Sequence, residues 1–182
     1  LAEYSAVLFD MDGVIPPTAE VHMRAWAHLF GAYLKEQGSA EYTEEDYYDH
    51  VDGRPRYQGV AAVLESRGIS LPWGEPSDPP EANTVCGLGN RKNLLFLRLL
   101  EEEGVAAYPG SLRLLTELKA AGTPVAVVSS SRNAHHVLQA AGLVQSFPVV
   151  MDGVAAAAAG LAGKPDPATY LHAAELLGVV PG

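Results

Sequence analysis

Cysteine occurs once in the 182 residues, at Cys86. A single thiol cannot build an intramolecular disulfide framework or a cysteine-based zinc site, and it fits a reducing compartment. Positive charge is scarce as well: 12 Lys and Arg stand against 22 Asp and Glu, for a formal net charge of -10. That deficit argues against a nucleic-acid partner, whose phosphates must be met by cations. Long apolar runs are also missing. Stretches such as Val125 to Val128 fall far short of the roughly 20 residues of a membrane span, and no charged-then-apolar leader precedes the first strand. The expectation is a cytoplasmic protein with neither nucleic acid nor membrane as partner; the sequence is silent on protein partners. What is present is apolar and ordered, 48% hydrophobic against 19% charged residues. The chain can therefore bury a sizeable core, as one domain with an elaboration or two small ones.

Ala6 to Phe9 is a short apolar run that ends at acidic and glycine residues, the pattern of a buried parallel strand. From Thr18 to about Glu36 apolar residues recur at helical spacing in two stripes, Val21, Ala25, Leu29 and Tyr33, and Thr18, His22, Trp26 and Phe30. Helices are predicted over Glu44 to Val51, Tyr57 to Ser66 and Asn90 to Glu103, with no strand between them. Leu71 to Pro80, with four prolines, reads as a surface connector. Gly87-Leu88-Gly89 reads as a loop, lacking the third glycine and preceding strand of a dinucleotide fingerprint. After Pro109-Gly110 helices and strands alternate: a helix over Ser111 to Ala121, a strand over Pro124 to Val128, a helix from about Asn133 to Ala141 and a short strand near Val149. The five alanines Ala155 to Ala159 suit a helix and carry no chemistry. The predicted class is α/β, a parallel sheet with helices on both faces, whose ligands bind at the carboxyl ends of the strands. Residues 1–16 and 104–182 form this core, and residues 17–103 are a helical insertion after the first strand.

Three clusters sit where such a sheet presents ligand groups. Asp10-Met11-Asp12-Gly13 follows the first strand, and carboxylates one residue apart leave an extended strand on the same side. Like charges that close repel, so they persist when a cation neutralises them or one is held as an acid; an acidic turn relaxed by Gly13 is the plainer alternative. Ser129-Ser130-Ser131-Arg132-Asn133 ends the second strand and opens a helix, where hydroxyls and free N–H groups can receive an anion or simply cap the helix. Lys164-Pro165-Asp166-Pro167 places a lysine in a short loop, either to neutralise a phosphate or as a solvated surface charge.

In order, spacing and context these motifs resemble the haloacid dehalogenase superfamily of phosphotransferases. The likeness covers nearly the whole chain, and Thr18-Ala19-Glu20, His22, Ala25-Trp26, Arg56 and Arg91-Lys92-Asn93 are similar to its sugar-phosphate mutase branch. The resemblance implies a Rossmann-like core with a mobile helical cap over residues 17–103. It implies Asp10 as nucleophile forming an aspartyl phosphate, and Asp12 as general acid and base. Ser129 and Lys164 would hold the phosphoryl oxygens in the transition state. Mg2+ would bind at Asp10 and Asp12, the latter also through its backbone carbonyl. Substrate contacts are expected from Thr18, His22, Trp26, Arg56, Lys92, Ser130, Ser131 and Asn133, with Arg56 and Lys92 on the second phosphate of a sugar bisphosphate. For Trp26 and His22 packing is the alternative, and for Asn133 it is helix capping.

The implied activity is mutation of a sugar phosphate. The alternatives are a magnesium-dependent phosphatase of a small phosphorylated metabolite and a non-catalytic phosphometabolite binder. Two departures stand out. The family's fourth motif, an acidic pair some two dozen residues beyond Lys164, is expected past Gly182. Pro16-Pro17 replaces the branch's usual polar residue and Asp.

Overall fold

The computed structural model describes residues 4–180. The chain divides into two compact units, one made of Leu1–Ala19 with Glu103–Gly182 and the other of Glu20–Glu102.

Unit 1 is built on three parallel strands in the order β1 (Val7–Phe9), β2 (Val125–Val128) and β3 (Val149–Met151). Val7 is level with Val125 and Ala126 with Val149. All four residues of β2 are buried, as the central strand of a parallel sheet requires, and its side chains are accordingly apolar throughout. Unit 1 also carries α5 (Pro109–Ala120), α6 (Ala134–Ala140), a 3-10 turn at Val144–Ser146, α7 (Gly153–Ala158) and α8 (Ala168–Leu176). The alanine run does form a helix, started by Asp152, whose carboxylate accepts from the N–H groups of Val154 and Ala155 at 2.9 and 2.8 Å. α8 packs on all three strands. The fold class is the expected one: α/β, with a parallel sheet.

Unit 2 is helical: most of α1 (Thr18–Glu36), then α2 (Glu44–His50), α3 (Arg56–Ser66) and nearly all of α4 (Val85–Glu103). Both predicted stripes of α1 are largely buried, and Trp26, Leu29, Phe30, Tyr33 and Leu34 join Val60, Val63, Leu64 and Leu88 in one core. No helix among the described residues is long and apolar enough to cross a membrane.

One local expectation fails. Gly87-Leu88-Gly89 lies within α4, not in a loop. A Cβ on Gly87 would stand 2.3 Å from the Ala82 carbonyl oxygen, and one on Gly89 2.6 Å from the Tyr57 ring. These glycines serve close packing against a helix, which outweighs their helix penalty of about 1 kcal/mol each.

The polar anchor of unit 2 is Asp46 at the start of α2. Its carboxylate accepts from the Thr43 N–H at 2.8 Å, closing a capping box, and from Arg67 Nη2 at 2.6 Å. Arg67 also donates to the Glu41 carbonyl at 3.1 Å. Burial alone would raise the Asp46 pKa, but the Arg67 hydrogen bond, the Thr43 N–H and the Arg67 charge together hold it below the usual carboxylate range. The stability this contributes is complete above the unfolded value of about 4 and is lost as pH falls through the lower folded value. Arg67→Ala, which strands the carboxylate, should cost about 3 kcal/mol in urea unfolding at pH 7. That deficit should shrink toward pH 3; a deficit independent of pH would show that the pairing is not what Arg67 contributes.

Candidate active site

β1 delivers Asp10 and Asp12 to the carboxyl edge of the sheet. Met11 between them is fully buried, so by alternation the two carboxylates emerge on the other side, both half-buried. The chain then turns on Gly13, whose φ of 74° lies in the left-handed region that favours glycine. The Val14 and Ile15 N–H groups bond back to the Met11 carbonyl.

The two carboxylates have different partners. Asp10 Oδ1 receives Lys164 Nζ at 2.6 Å and the Met11 N–H at 2.8 Å. Asp12 Oδ1 receives the Thr18 hydroxyl at 2.6 Å, and its Oδ2 the Ser129 hydroxyl at 3.3 Å. One carboxylate is thus ion-paired and the other is held by two neutral hydroxyls.

Lys164 is fixed by three groups. Besides Asp10 it donates to the Val128 carbonyl at 3.0 Å, and its ammonium stands 5.4 Å from the Tyr170 ring centroid. Burial works against its charge, but the hydrogen bond and charge of Asp10, with a smaller contribution from Tyr170, raise its pKa above the ordinary lysine value. Lys164 stays a cation. Its side chain is 25% exposed and that of Asp10 43%, which leaves both within reach of an incoming ligand.

Ser129 continues the ladder beyond β2, its N–H bonding the Met151 carbonyl at 2.9 Å. The serines then chain together, Ser129 Oγ accepting from the Ser131 N–H at 3.0 Å and Ser131 Oγ from the Asn133 N–H at 3.1 Å. Ser130 is exposed. Asn133 occupies the N-cap position of α6 without a side-chain capping bond. A recess of about 220 Å³ opens beside Ser129 and Ser130, walled by Gly153, Gly163 and Thr169.

The other expected site residues lie in unit 2. His22 is stacked on Phe96 with ring centroids 4.0 Å apart, and its Nδ1 lies 2.6 Å from Lys92 Nζ. Lys92 is 4% exposed, with its ammonium over the Trp26 and Phe96 rings at 4.8 and 5.2 Å from their centroids. Trp26 is stacked on Phe30 inside the unit 2 core. Arg56 donates through Nη2 to Asn93 Oδ1 at 2.8 Å. Unit 1 therefore gathers Asp10, Asp12, Thr18, Ser129 and Lys164, while His22, Trp26 and Lys92 form a second cluster. Thr18 was expected on the substrate face of its helix; its hydroxyl instead holds Asp12. Tyr170 beside Lys164 is not legible in the sequence, because nothing in an isolated tyrosine on a helix signals a lysine six positions earlier.

A metal is implied by the resemblance, and the donor chemistry fits a hard divalent cation: adjacent carboxylate oxygens from Asp10 and Asp12. Among the described residues no group of three or more His, Cys, Asp or Glu side chains gathers at one point. Such an ion would be held at Asp10 and Asp12, the latter also through its backbone carbonyl, and complete its shell largely with water.

A family model described as haloacid dehalogenase-like hydrolase matches residues 4–182. The beta-phosphoglucomutase of Mycobacterium bovis is 47% identical over 185 residues, covering 97% of this chain and 70% of that protein. The beta-phosphoglucomutase of Bacillus subtilis is 31% identical, covering 97% of this chain and 71% of that protein. Among solved structures, CbbY from Rhodobacter sphaeroides in complex with phosphate matches with a TM-score of 0.71 at 26% identity, covering 97% of this chain and 74% of that one.

The His22 contacts carry a prediction. A lysine ammonium has only donors, so Nδ1 facing Lys92 must accept, and the ring proton sits on Nε2. Burial, then the charges of Lys92 and Arg56, push the His22 pKa well below its ordinary value. The unfolded chain takes up a proton near pH 6.5 and the folded chain does not, so this group makes the fold less stable as pH drops below about 6.5. Long-range 15N–1H spectra should find His22 as the neutral Nε2–H tautomer at pH values where an ordinary histidine is already protonated, and Lys92→Met should move its titration upward. A ring that titrates near 6.5 in the unmodified protein would refute the pairing.

Proposed function

The chain belongs to the haloacid dehalogenase-like hydrolase family, and on that footing we propose that it is a phosphotransferase interconverting beta-glucose 1-phosphate and glucose 6-phosphate through an aspartyl phosphate. The observation that carries this reading is the unequal partnering of the two carboxylates. Asp10, ion-paired to Lys164, is an ionised oxygen nucleophile. Asp12, held by the neutral hydroxyls of Thr18 and Ser129, is the carboxylate this reading makes the general acid and base. The identity to beta-phosphoglucomutases, which act on a phosphorylated sugar, supports the substrate class.

In the first half-reaction an Asp10 oxygen attacks phosphorus, the bond from phosphorus to the bridging oxygen breaks, and Asp12 delivers its proton to that leaving oxygen. In the second, Asp12 takes the proton of an incoming sugar hydroxyl, whose oxygen attacks the phosphoryl group and releases Asp10. Transfer to a sugar monophosphate gives a bisphosphate, which returns its other phosphoryl group to Asp10 and leaves as the isomer. Lys164 shares its ammonium between Asp10 and the phosphoryl oxygens, and the Ser129 hydroxyl holds another of them, so transferred charge meets fixed donors. Phosphoryl-transferring members of this family are generally metal-dependent; here magnesium, held by Asp10 and Asp12, would offset the negative charge that the phosphoryl group brings to a carboxylate. Unit 2 is the substrate-recognition cap, with Arg56 binding the second phosphate. His22 lies in the same cationic cluster, and Lys92 acts through it.

The test supplies magnesium and beta-glucose 1-phosphate, with and without a trace of the 1,6-bisphosphate, and follows glucose 6-phosphate and free phosphate together. Isomer that depends on the bisphosphate, with little free phosphate, is the expected outcome. Free phosphate without isomer would replace the mutase by a phosphatase, and neither product would remove the substrate assignment. Asp10→Asn should lower turnover by at least about a thousandfold with an unchanged thermal midpoint; retained turnover would end the nucleophile assignment.

A further inference from the structure

Arg56 opens α3, and its surroundings are more elaborate than an exposed arginine needs. Its guanidinium donates to Asn93 Oδ1 at 2.8 Å and stands 5.9 Å from the Tyr57 ring centroid. Its Cδ runs across Gly89, where an added Cβ would lie 3.3 Å away. Gly89 and Asn93 are four residues apart on α4, hence on one face. The arginine therefore lies along a strip of α4 that is bare at one end and hydrogen-bonded at the other.

Tyr57, the next residue, is tied to the same helix. Its hydroxyl donates to Asn90 Oδ1 at 3.0 Å, and its ring fills the space that a side chain at Gly89 would occupy. Asn90 in turn reaches the proline-rich segment, its Nδ2 donating to the Pro76 and Asp78 carbonyls at 3.1 and 2.8 Å. Arg91 Nε donates to the Pro80 carbonyl at 2.8 Å. The segment is itself braced, with Asp78 Oδ2 accepting from the Thr84 hydroxyl at 2.7 Å and the Glu75 N–H at 3.1 Å. Leu71 to Pro80 is thus a buttress that fixes the start of α3 against α4.

We propose that Asn93 is a positioning residue for the second phosphate of the substrate: it acts through Arg56, holding the guanidinium in a cradle formed with Gly89 and Tyr57 and buttressed by the proline-rich segment through Asn90. This rests on the reading of Arg56 given above. A long arginine side chain loses considerable rotamer freedom when it grips a phosphate, and a guanidinium already oriented in the free protein avoids that loss on binding. Asn93 suits the task because its carbonyl oxygen orients the guanidinium without adding a negative charge, which a carboxylate there would bring.

The experiment is a double-mutant cycle on the full chain, with kcat and KM measured on beta-glucose 1-phosphate in the presence of the bisphosphate. Asn93 is half-buried on a helix, so Asn93→Ala keeps a good helix former, and a thermal midpoint within a few degrees checks the fold. Asn93→Ala should raise KM roughly five- to tenfold, the size of one ordinary hydrogen bond of about 1 kcal/mol, with kcat within about twofold, as for an interaction equal in ground and transition states. Arg56→Ala should raise KM further, and the double variant should match Arg56→Ala alone. Singles that multiply in the double variant, or an Asn93→Ala enzyme with unchanged KM, would overturn the proposal while leaving Arg56 as a phosphate ligand. An Arg56→Ala enzyme with unchanged KM would remove that ligand and the cradle's purpose together.

Discussion

Two carboxylates on alternate residues at the end of one strand repel, and the arrangement of unit 1 answers that repulsion. At effective dielectrics typical of a protein surface, two charges about 5 Å apart cost on the order of 3 kcal/mol. The compensating groups come from three separate segments: Lys164 for Asp10, and Thr18 and Ser129 for Asp12. They differ in kind, and this difference gives two chemically identical side chains different surroundings. The sheet makes the convergence possible. β2 alongside β1 brings both Ser129 and the Val128 carbonyl to the same edge, and that carbonyl is the second acceptor of Lys164.

Unit 2 faces the opposite electrostatic problem, cations close together in an apolar interior. Lys92 is buried against His22 and lies over two aromatic rings, while Arg56 is close enough to depress the His22 pKa. Keeping His22 neutral prevents a third positive charge. The aromatic faces supply partial negative charge to the Lys92 ammonium. Asp46 and Arg67 form an ion pair in this unit that belongs to the start of α2 and serves its stability.

Much of the chemistry was legible in the sequence because it is written locally. The apolar strand before Asp10, the serine run after Val128 and the lysine before Pro165 each declare a strand end or a helix start, and parallel sheets place such ends together. The pairings that cross long distances were not legible. Thr18 lies on a helical stripe with His22 and Trp26, and the stripe gives no sign that its first member turns to Asp12. Lys92 looks like a phosphate-binding cation, and the sequence does not show that it lies against His22 and two aromatic rings, because its helix meets α1 within unit 2. Gly87 and Gly89 carry the composition of a loop but are helical, since the signal that overrides propensity is Ala82 and Tyr57 pressing against them. A glycine says that something comes near; which element does so is tertiary information.

The connectivity also sets an order of events in time. Unit 2 is one unbroken stretch, whereas unit 1 is split around it, and β1 finds its neighbour only when Val125 reaches Val7. Contacts between such distant residues are slow to form, and a chain made from its amino end folds its continuous parts first. During synthesis the helices of Glu20–Glu102 can therefore close their core before β2 exists. Asp10 is made before unit 2 and Lys164, its counter-ion, after it. The chain thus closes its helical unit early and brings Asp10 and Lys164 together late.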